Sequence, residues 1–484
     1  MIPIPFPAQT LLLILPEILL VLLAGLVMGL DVVWPASRKR VLGFITAGGF
    51  AAVAVVTLVF ARNVPADPPI FGGMIRDDGL AFFFRLLFIF SGMIVALLSV
   101  DSPGVGRKGE YYAIVIAAVV GMDFMASATD LIMVYLSIET TSIALYLLAG
   151  FLREDDKSAE SGLKYFLFGA FTSTIMLYGF SLLYGFTAKT NIYELSAALL
   201  AGNVPALPIL VALLLVLAGF GFKVSMVPFH FWSPDVYEGA PTPIAAFISV
   251  ASKAAGFAVL MRVLLAVFPG VQSYWGPLIA VIAVFTMTLG NTLALAQRNI
   301  KRMLAYSSIA QAGYALIGLA TLSSAGVAGT IFYLLMYTVT NLITFGVVIL
   351  ASRVIGSDEI ADYAGLSRRS PGLALAFLVG FLSLGGMPPF AGFFAKFFIF
   401  AAAVQAGLIW LAVIGVLNAI IGLYYYLTVL KVVYLYRSEH DTEPIVVPRA
   451  YALALGLCAI GVILIGTVAS PWFTWASTAA KALF

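Results

Sequence analysis

The sequence predicts an all-α polytopic membrane protein with about 14 transmembrane helices. Hydrophobic residues occupy 62% of the 484 positions and charged residues only 10%, whereas soluble domains carry about 25% charged residues. Apolar stretches of about 20 residues, the length of a helix that crosses a bilayer, recur along the whole chain. Two of these stretches are interrupted by glycine and proline, which predicts two broken membrane helices.

The predicted spans follow one another with short connections, so we expect no separate soluble domain. In order they are 11–34, 41–61, 80–100, 111–129, 130–151, 162–186, 207–234, 242–268, 274–296, 301–322, 328–352, 371–404, 407–436 and 449–472. The first has no basic segment before Leu11 and is longer than a signal peptide, so we expect a retained span. The boundary between the fourth and fifth spans, near Asp130, is marked only weakly.

Two similar motifs interrupt spans 7 and 12. Met226-Val227-Pro228-Phe229 lies in span 7, and Met387-Pro388-Pro389-Phe390 lies in span 12, five spans later. Proline lacks the N–H group that would bond one turn back, so each helix must break or kink there. Such backbone persists at membrane depth only where it is buried in protein or lines a wet cavity. Spans 4–8 and 9–13 are therefore predicted to be two five-helix repeats, inverted because five is odd.

This repeat divides the chain into four sections. We predict three N-terminal spans in residues 1–110, the first five-helix unit in 111–270, the second in 271–437, and a last span in 438–484.

The basic residues of the loops predict the orientation, because cytoplasmic loops are enriched in lysine and arginine. One face holds fifteen of them: Arg38, Lys39, Arg40, Arg107, Lys108, Arg153, Lys157, Arg298, Lys301, Arg302, Arg353, Arg368, Arg369, Arg437 and Arg449. The opposite face holds five: Arg62, Arg76, Lys189, Arg262 and Lys481. We therefore expect both termini on the outer side of the membrane.

Four ionisable residues lie near the middle of predicted spans and are the main candidates for function: Glu139, Lys223, Lys253 and Lys396. A charge at the bilayer centre costs at least roughly 2.5–3.5 kcal/mol on insertion scales, so these residues are functional candidates by default. The alternative is a structural ion pair of Glu139 with one lysine, but one acid cannot neutralise three lysines.

Two further residues are weaker candidates. Lys164 begins span 6, so it is either a candidate for proton transfer or a residue at the membrane interface. His230 follows Lys223 by seven residues, a spacing that would place both on one face of a helix, although an inert buried histidine fits nearly as well. Arg85 is interpreted as an anchor or a structural residue.

Burial explains why lysine suits proton transfer. Loss of water disfavours the charged form of a buried lysine, and a carboxylate within about 4–6 Å favours it again. Glu139 beside Lys223 would therefore act as a switch: the paired lysine holds its proton and the separated lysine releases it.

The sequence contains no recognisable cofactor site. It has one cysteine and two histidines that lie far apart, which gives no pattern for a metal or an iron–sulfur cluster. Gly219-Phe220-Gly221 lacks the third glycine and the preceding strand of a nucleotide-binding motif. The net charge of +3 does not suggest a nucleic-acid partner.

The segment VPFHFWSPDVYEGAPTP, with a glutamate in span 5 and lysines in spans 7, 8 and 12, resembles one family over essentially the whole chain. These are the antiporter-like membrane subunits of respiratory complex I, which are related to subunits of multisubunit cation/proton antiporters. The resemblance implies inverted repeats and proton translocation through Glu139, Lys223, Lys253 and Lys396. It also implies a translocase subunit without its own redox centre, driven by redox chemistry elsewhere, among other membrane subunits in a bacterial inner membrane.

Two other functional classes are also consistent with the sequence. A secondary cation/proton antiporter would use the same lysines and bind sodium, and a purely structural subunit would tolerate neutral replacements at Lys223 and Lys396.

Overall fold

A computed structural model describes residues 8–61, 69–202 and 204–484, and most of these residues are helical. The helices are α1 (Ala8–Leu13), α2 (Leu15–Val33), α3 (Val41–Val56), α4 (Gly79–Ser99), α5 (Gly109–Ser127), α6 (Leu131–Ala149), α7 (Asp156–Thr187), α8 (Ile192–Leu200), α9 (Ala206–Val224), α10 (Trp232–Gly239), α11 (Thr242–Phe247), α12 (Lys253–Val267), α13 (Gln272–Leu295), α14 (Ile300–Ala320), α15 (Ser324–Ile355), α16 (Leu366–Arg369), α17 (Pro371–Gly385), α18 (Ala391–Gln405), α19 (Ile409–Leu435), α20 (Arg449–Thr467) and α21 (Ala469–Ala480). Turns of 3₁₀ helix cover Phe71–Gly73, Pro269–Val271, Ile360–Tyr363 and Lys481–Leu483, and π-helical turns cover Thr57–Ala61 and Ile248–Ser252.

The predicted all-α membrane fold is confirmed. Within the described residues, thirteen helical stretches are long and apolar enough to cross a membrane. Helices α17 and α18 are each shorter, but they lie on either side of the break in span 12, and together they supply the fourteenth span. The weakly marked boundary near Asp130 is real, because Asp130 caps α6 by accepting a hydrogen bond from the Ile132 amide.

Three local features differ from the prediction. Strands β1 (Pro69–Ile70) and β2 (Ile75–Arg76) pair antiparallel in the connection before α4. The connection between spans 6 and 7 contains α8. The last span ends at Thr467 rather than near residue 472, because the chain turns there and continues as the separate helix α21.

The interior of the protein consists mainly of α12, α14 and α15, which are almost completely buried. Helix α15 contacts α14, α17, α18, α20 and α21. A helix surrounded by protein has no lipid-facing side, so any polar residue on it must find a partner inside. The π-helical turn Ile248–Ser252 immediately precedes Lys253, and such turns are frequent at functional sites.

Two buried arginines form ion pairs with acids of the N-terminal section, Arg85 from within that section and Arg262 from α12. Arg85 pairs with Glu17 and Asp77, each at 2.9 Å, which supports its structural interpretation. Arg262 pairs with Asp78 at 2.7 Å and donates to the Ala126 carbonyl.

Arg262, counted among the basic residues of the predicted outer face, is completely buried within α12. Its partner Asp78 is the N-cap residue of α4. Arg62, counted on the same face, lies outside the described residues.

Candidate functional site

The two broken spans have the same backbone geometry. Helix α9 ends before Ser225, which is left-handed (φ 60°), and α17 ends before Gly386, which is left-handed too (φ 84°). The Met226 amide then bonds the Gly221 carbonyl, and the Met387 amide bonds the Leu382 carbonyl, both at 2.9 Å. This is the pattern of a helix terminated by a left-handed residue. The two motifs found in the sequence therefore produce the same kind of helix end.

Lys223 lies in the last turn of α9 and is only 3% exposed. Its Nζ donates a hydrogen bond to Ser142 Oγ on α6 at 3.0 Å. A Cβ atom on Gly256 would lie 3.1 Å from Lys223 Cγ, so the lysine side chain packs directly against α12. Gly256 is one turn beyond Lys253, which brings Lys223 close to the second lysine along that helix.

Glu139 does not form the direct contact with Lys223 that the sequence predicts. It lies one turn before Ser142 on α6, and its charge interacts favourably with Lys223. Lys223 nevertheless donates to Ser142, and Glu139 Oε1 is buried without a hydrogen-bond partner among the described residues. In this structure the partner of the lysine is therefore a serine hydroxyl and not Glu139.

Lys253 is buried among hydroxyl groups and does not face lipid. Its Nζ donates to Ser308 Oγ at 2.5 Å, and its ammonium lies 5.7 Å from the centre of the Tyr237 ring. Tyr337 also donates to Ser308, at 2.8 Å, and Asn341 donates to Tyr337 at 3.1 Å. Lys253 is therefore part of a hydrogen-bonded cluster contributed by α12, α14 and α15.

Lys396 occupies the second break in a different way. It lies on α18, and its Nζ donates to the carbonyls of Leu384 and Gly385 at 2.9 and 3.0 Å. These are the last carbonyls of α17, at the negative end of the helix dipole, which favours a cation. Gly386 makes room for this contact, since a Cβ there would lie 2.9 Å from Lys396 Cδ.

Helix α14 joins the surroundings of Lys253 and Lys396. Ser308 binds Lys253, and the adjacent Ser307 bonds the hydroxyl of Tyr426 on α19. Gln311, one turn further, bonds Tyr426 at 3.1 Å and the Leu384 carbonyl at 3.3 Å. That same carbonyl accepts from Lys396, so the buried side chains of α14 reach from one lysine to the other.

Lys164 is separate from this interior. Its Nζ pairs with Asp235 at 2.6 Å and with Glu160 at 2.7 Å, and its side chain is 36% exposed. Arg302 also pairs with Asp235, at 2.8 Å. Burial alone would raise the pKa of Asp235, but the hydrogen bonds from Lys164 and Arg302 outweigh burial and hold its pKa below the ordinary value. Lys164 thus belongs to an ion-pair cluster at the protein surface.

His230 is buried, but the argument that placed it on the face of Lys223 does not hold. Helix α9 ends at Val224, so His230 lies in the segment between α9 and α10 and has no helical register with Lys223. Its Nδ1 is buried without a partner among the described residues. The structure therefore removes the predicted register of His230 with the first lysine.

Sequence reasoning did not select the uncharged partners of the lysines. Nothing in the sequence distinguishes these partners from other polar residues within spans; they are Ser142, Ser308, Gln311, Tyr337 and Asn341. Other hydroxyl-bearing residues of the spans differ in the same way: Tyr425 donates to Asn291 in the interior, whereas Thr140 and Tyr424 are exposed. Serine, threonine and tyrosine are frequent in all such helices, and only the packing shows which of them face a lysine.

A family model described as "NADH:quinone oxidoreductase/Mrp antiporter, TM" matches residues 128–422. This chain belongs to that family. Its relatives include the NADH-quinone oxidoreductase subunit N of Trichlorobacter lovleyi, which is 42% identical over 97% of this chain and 96% of its own length. Subunit N 2 of Chloroherpeton thalassium is 44% identical over 88% of this chain and 86% of its own length.

Solved structures agree with this assignment. A chain of respiratory complex I from Thermus thermophilus has a TM-score of 0.79 and 31% identity, covering 95% of this chain and 98% of that one. A chain of the Mrp complex from Dietzia sp. has a TM-score of 0.86 at 23% identity, covering 99% and 98%. The likeness to the Mrp chain shows the shared fold alone. The match to complex I confirms the family resemblance seen in the sequence.

Proposed function

We propose that this chain translocates protons across a bacterial plasma membrane as subunit N of an NADH:quinone oxidoreductase. The observation that carries the proposal is the polar interior around three buried lysines, which is built on the three most buried helices. Among the described residues none of the three lysines is ion-paired. A structural role would be served by paired charges, whereas a lysine without a carboxylate partner has no fixed negative charge beside it to hold its proton.

In this proposal Glu139, Lys223, Lys253 and Lys396 carry the protons. Lys223 moves between Ser142, its partner in this structure, and the unpartnered oxygen of Glu139. Pairing with Glu139 favours the charged lysine, and the return to Ser142 releases the proton toward Lys253. Lys396 is the last lysine before the outer face.

The two weaker candidates take secondary roles in the proposal. His230 assists beside the first break, because its ring is buried there and its Nδ1 has no hydrogen-bond partner among the described residues. Lys164, which pairs with Asp235 at the surface, lies at the edge of the proposed proton path and outside the buried interior.

The proposed orientation places both termini on the outer side and the two broken spans in inverted five-helix units. The excess of basic residues in the loops of one face supports it. The protein would lie in lipid among other membrane subunits, and the redox chemistry that drives transport would reside in those partners.

Purification tests this proposal directly. An affinity-tagged chain should co-purify with NADH:quinone reductase activity, and vesicles that contain the complex should take up protons during NADH oxidation. If the tagged chain purifies in a complex that lacks this activity, the assignment to the oxidoreductase fails.

A cation/proton antiporter subunit is the second candidate, because the family model covers Mrp antiporters and the Mrp chain shares the fold. The two functions differ in their driving force. An antiporter would move protons in response to an imposed sodium gradient without NADH, whereas the proposed subunit would require NADH oxidation.

A further inference from the structure

Gln311 occupies the junction between the surroundings of Lys253 and those of Lys396. It lies on α14, is 2% exposed, and uses both ends of its amide. Its Nε2 bonds the Leu384 carbonyl and the Tyr426 hydroxyl, and its Oε1 bonds the Tyr333 hydroxyl. The residue is thus held on three sides by α17, α19 and α15.

The neighbours of Gln311 fix the orientation of its amide. The Leu384 carbonyl has only lone pairs, so the group that faces it must be the NH₂ end of the amide. The oxygen then faces Tyr333, which must donate. Tyr426 accepts from Nε2, so its own proton points to Ser307. The amide therefore orients the hydroxyl of Tyr426, whose partner Ser307 is adjacent in sequence to Ser308, the partner of Lys253.

The contact at the Leu384 carbonyl interrupts proton transfer. A relay needs atoms that both accept and give up a proton, as hydroxyls, amines and carboxyls do. At this carbonyl two donors meet, Lys396 Nζ and Gln311 Nε2, and neither can receive a proton from the other. The primary amide has no exchangeable acid group to pass a proton on to Tyr426.

We propose that Gln311 insulates the protons of Lys253 from those of Lys396, so that transfer occurs only when the Lys396 ammonium leaves the carbonyls of α17. The inference rests on the proposed function and adds a positioning residue to it. An insulator at this place prevents protons from flowing back through the interior while the rest of the complex is at rest.

Gln311→Glu tests the insulation, because it replaces an amide by an acid of nearly the same shape. Gln311 Nε2 and Lys396 Nζ bond one oxygen atom, so a carboxylate at position 311 would lie beside the ammonium. It would take a proton from Lys396 and pass it to Tyr426. In vesicles containing the whole complex, we expect the passive proton leak to rise several-fold. The number of protons pumped per NADH should fall while NADH oxidation continues.

Two variants separate insulation from damage to the packing. Gln311→Leu removes the hydrogen bonds but cannot carry protons, so its leak should stay at the wild-type level. Asn418→Asp makes the same amide-to-acid change on α19. The hydrogen bonds of Asn418 go to Thr288, the Ile414 carbonyl and Asn291, and its leak should be unchanged.

The inference is overturned if Gln311→Glu pumps with normal stoichiometry and no leak, or if Gln311→Leu leaks as much as Gln311→Glu. Should the glutamate variant fail to assemble, Gln311→His, which also accepts and gives up protons, takes its place with the same expected leak. Lys396→Ala is measured in parallel. Normal pumping in Lys396→Ala would contradict the proposed function itself, whereas blocked pumping without a leak in Gln311→Glu would contradict only the insulating role.

Discussion

The two broken spans share a backbone but hold their lysines by different chemistry. In span 7 the lysine, Lys223, precedes the break and bonds a hydroxyl on α6. In span 12 the lysine, Lys396, follows the break and bonds the carbonyls of the helix that precedes it. When the two motifs are superposed, Leu384 stands in the place of Lys223, and Asp235 in the place of Lys396. The motif thus determines how the helix ends, and other residues determine where the charge lies.

The difference between the two breaks determines which groups can control the protonation of each lysine. Lys223 has a carboxylate, Glu139, one turn away from its hydroxyl partner, so a second charged group can favour or disfavour its proton. No carboxylate among the described residues forms an ion pair with Lys396; its partners are two backbone carbonyls, whose positions depend on the end of α17. We infer that the first break responds to a side chain and the second to the backbone of its own helix.

Loss of either lysine should have the largest effect. Lys223→Ala and Lys396→Ala should each lower proton pumping by roughly 100-fold, the usual contribution of a proton-transferring group. Lys223→Arg should not restore it, because arginine does not release its proton. Proton uptake by vesicles oxidising NADH measures the effect, with Lys189→Ala, an exposed lysine paired with Glu194, as the control. A complex assembled at wild-type levels that pumps normally with either alanine would remove that lysine from the path.

Removing the charge of Glu139 tests whether the two breaks work by different chemistry. Glu139→Gln should reduce pumping by about tenfold, because a nearby opposite charge is worth about one pKa unit or more to its partner. Glu139→Asp should retain part of the activity. The same vesicle assay applies, with Glu194→Gln at the surface as the control. Equal pumping by Glu139→Gln and wild type would show that the first break, like the second, works without a carboxylate.

The hydroxyl partner of Lys223 should matter less. Ser142→Ala removes one hydrogen bond, worth about 1 kcal/mol or about fivefold in rate. The matched control is Ser137→Ala on the same helix, since Ser137 bonds only the backbone of its own helix. If both serine variants behave alike, the contact between Lys223 and Ser142 has no part in proton transfer.

The smallest effect is expected at the surface cluster. Lys164→Ala should change pumping by only about twofold, because exposed ion pairs contribute roughly 0.2–1 kcal/mol. The pKa of Asp235 is held low in the folded protein, so its pairing stabilises the fold above about pH 4 and is lost as the pH falls through that pKa. Thermal unfolding should therefore distinguish Lys164→Ala from wild type at neutral pH but not in strong acid. A tenfold loss of pumping would place Lys164 in the main path.

Much of the site was visible in the sequence because charge is rare inside a membrane. Lys223, Lys253 and Lys396 stood out as midspan charges, and all three are buried. The contacts of Ser308 and Gln311 with the surroundings of the lysines were not visible, because uncharged polar residues are common in spans. His230 was assigned to Lys223 by assuming an unbroken helix, although a break at the Pro228 motif, between the two residues, was itself predicted.

The sequence by itself determined the spans, the two breaks and the family, since these depend on length, hydrophobicity and proline, which act locally along the chain. Tertiary structure decided which side chain meets which lysine. The direction of a side chain depends on how each helix is rotated against its neighbours, and packing over the whole bundle sets that rotation. Lys164 is an example. Like Lys223 it is a charged residue within a span, but the packing of α7 directs its side chain to the surface carboxylate of Asp235 and not to the polar interior.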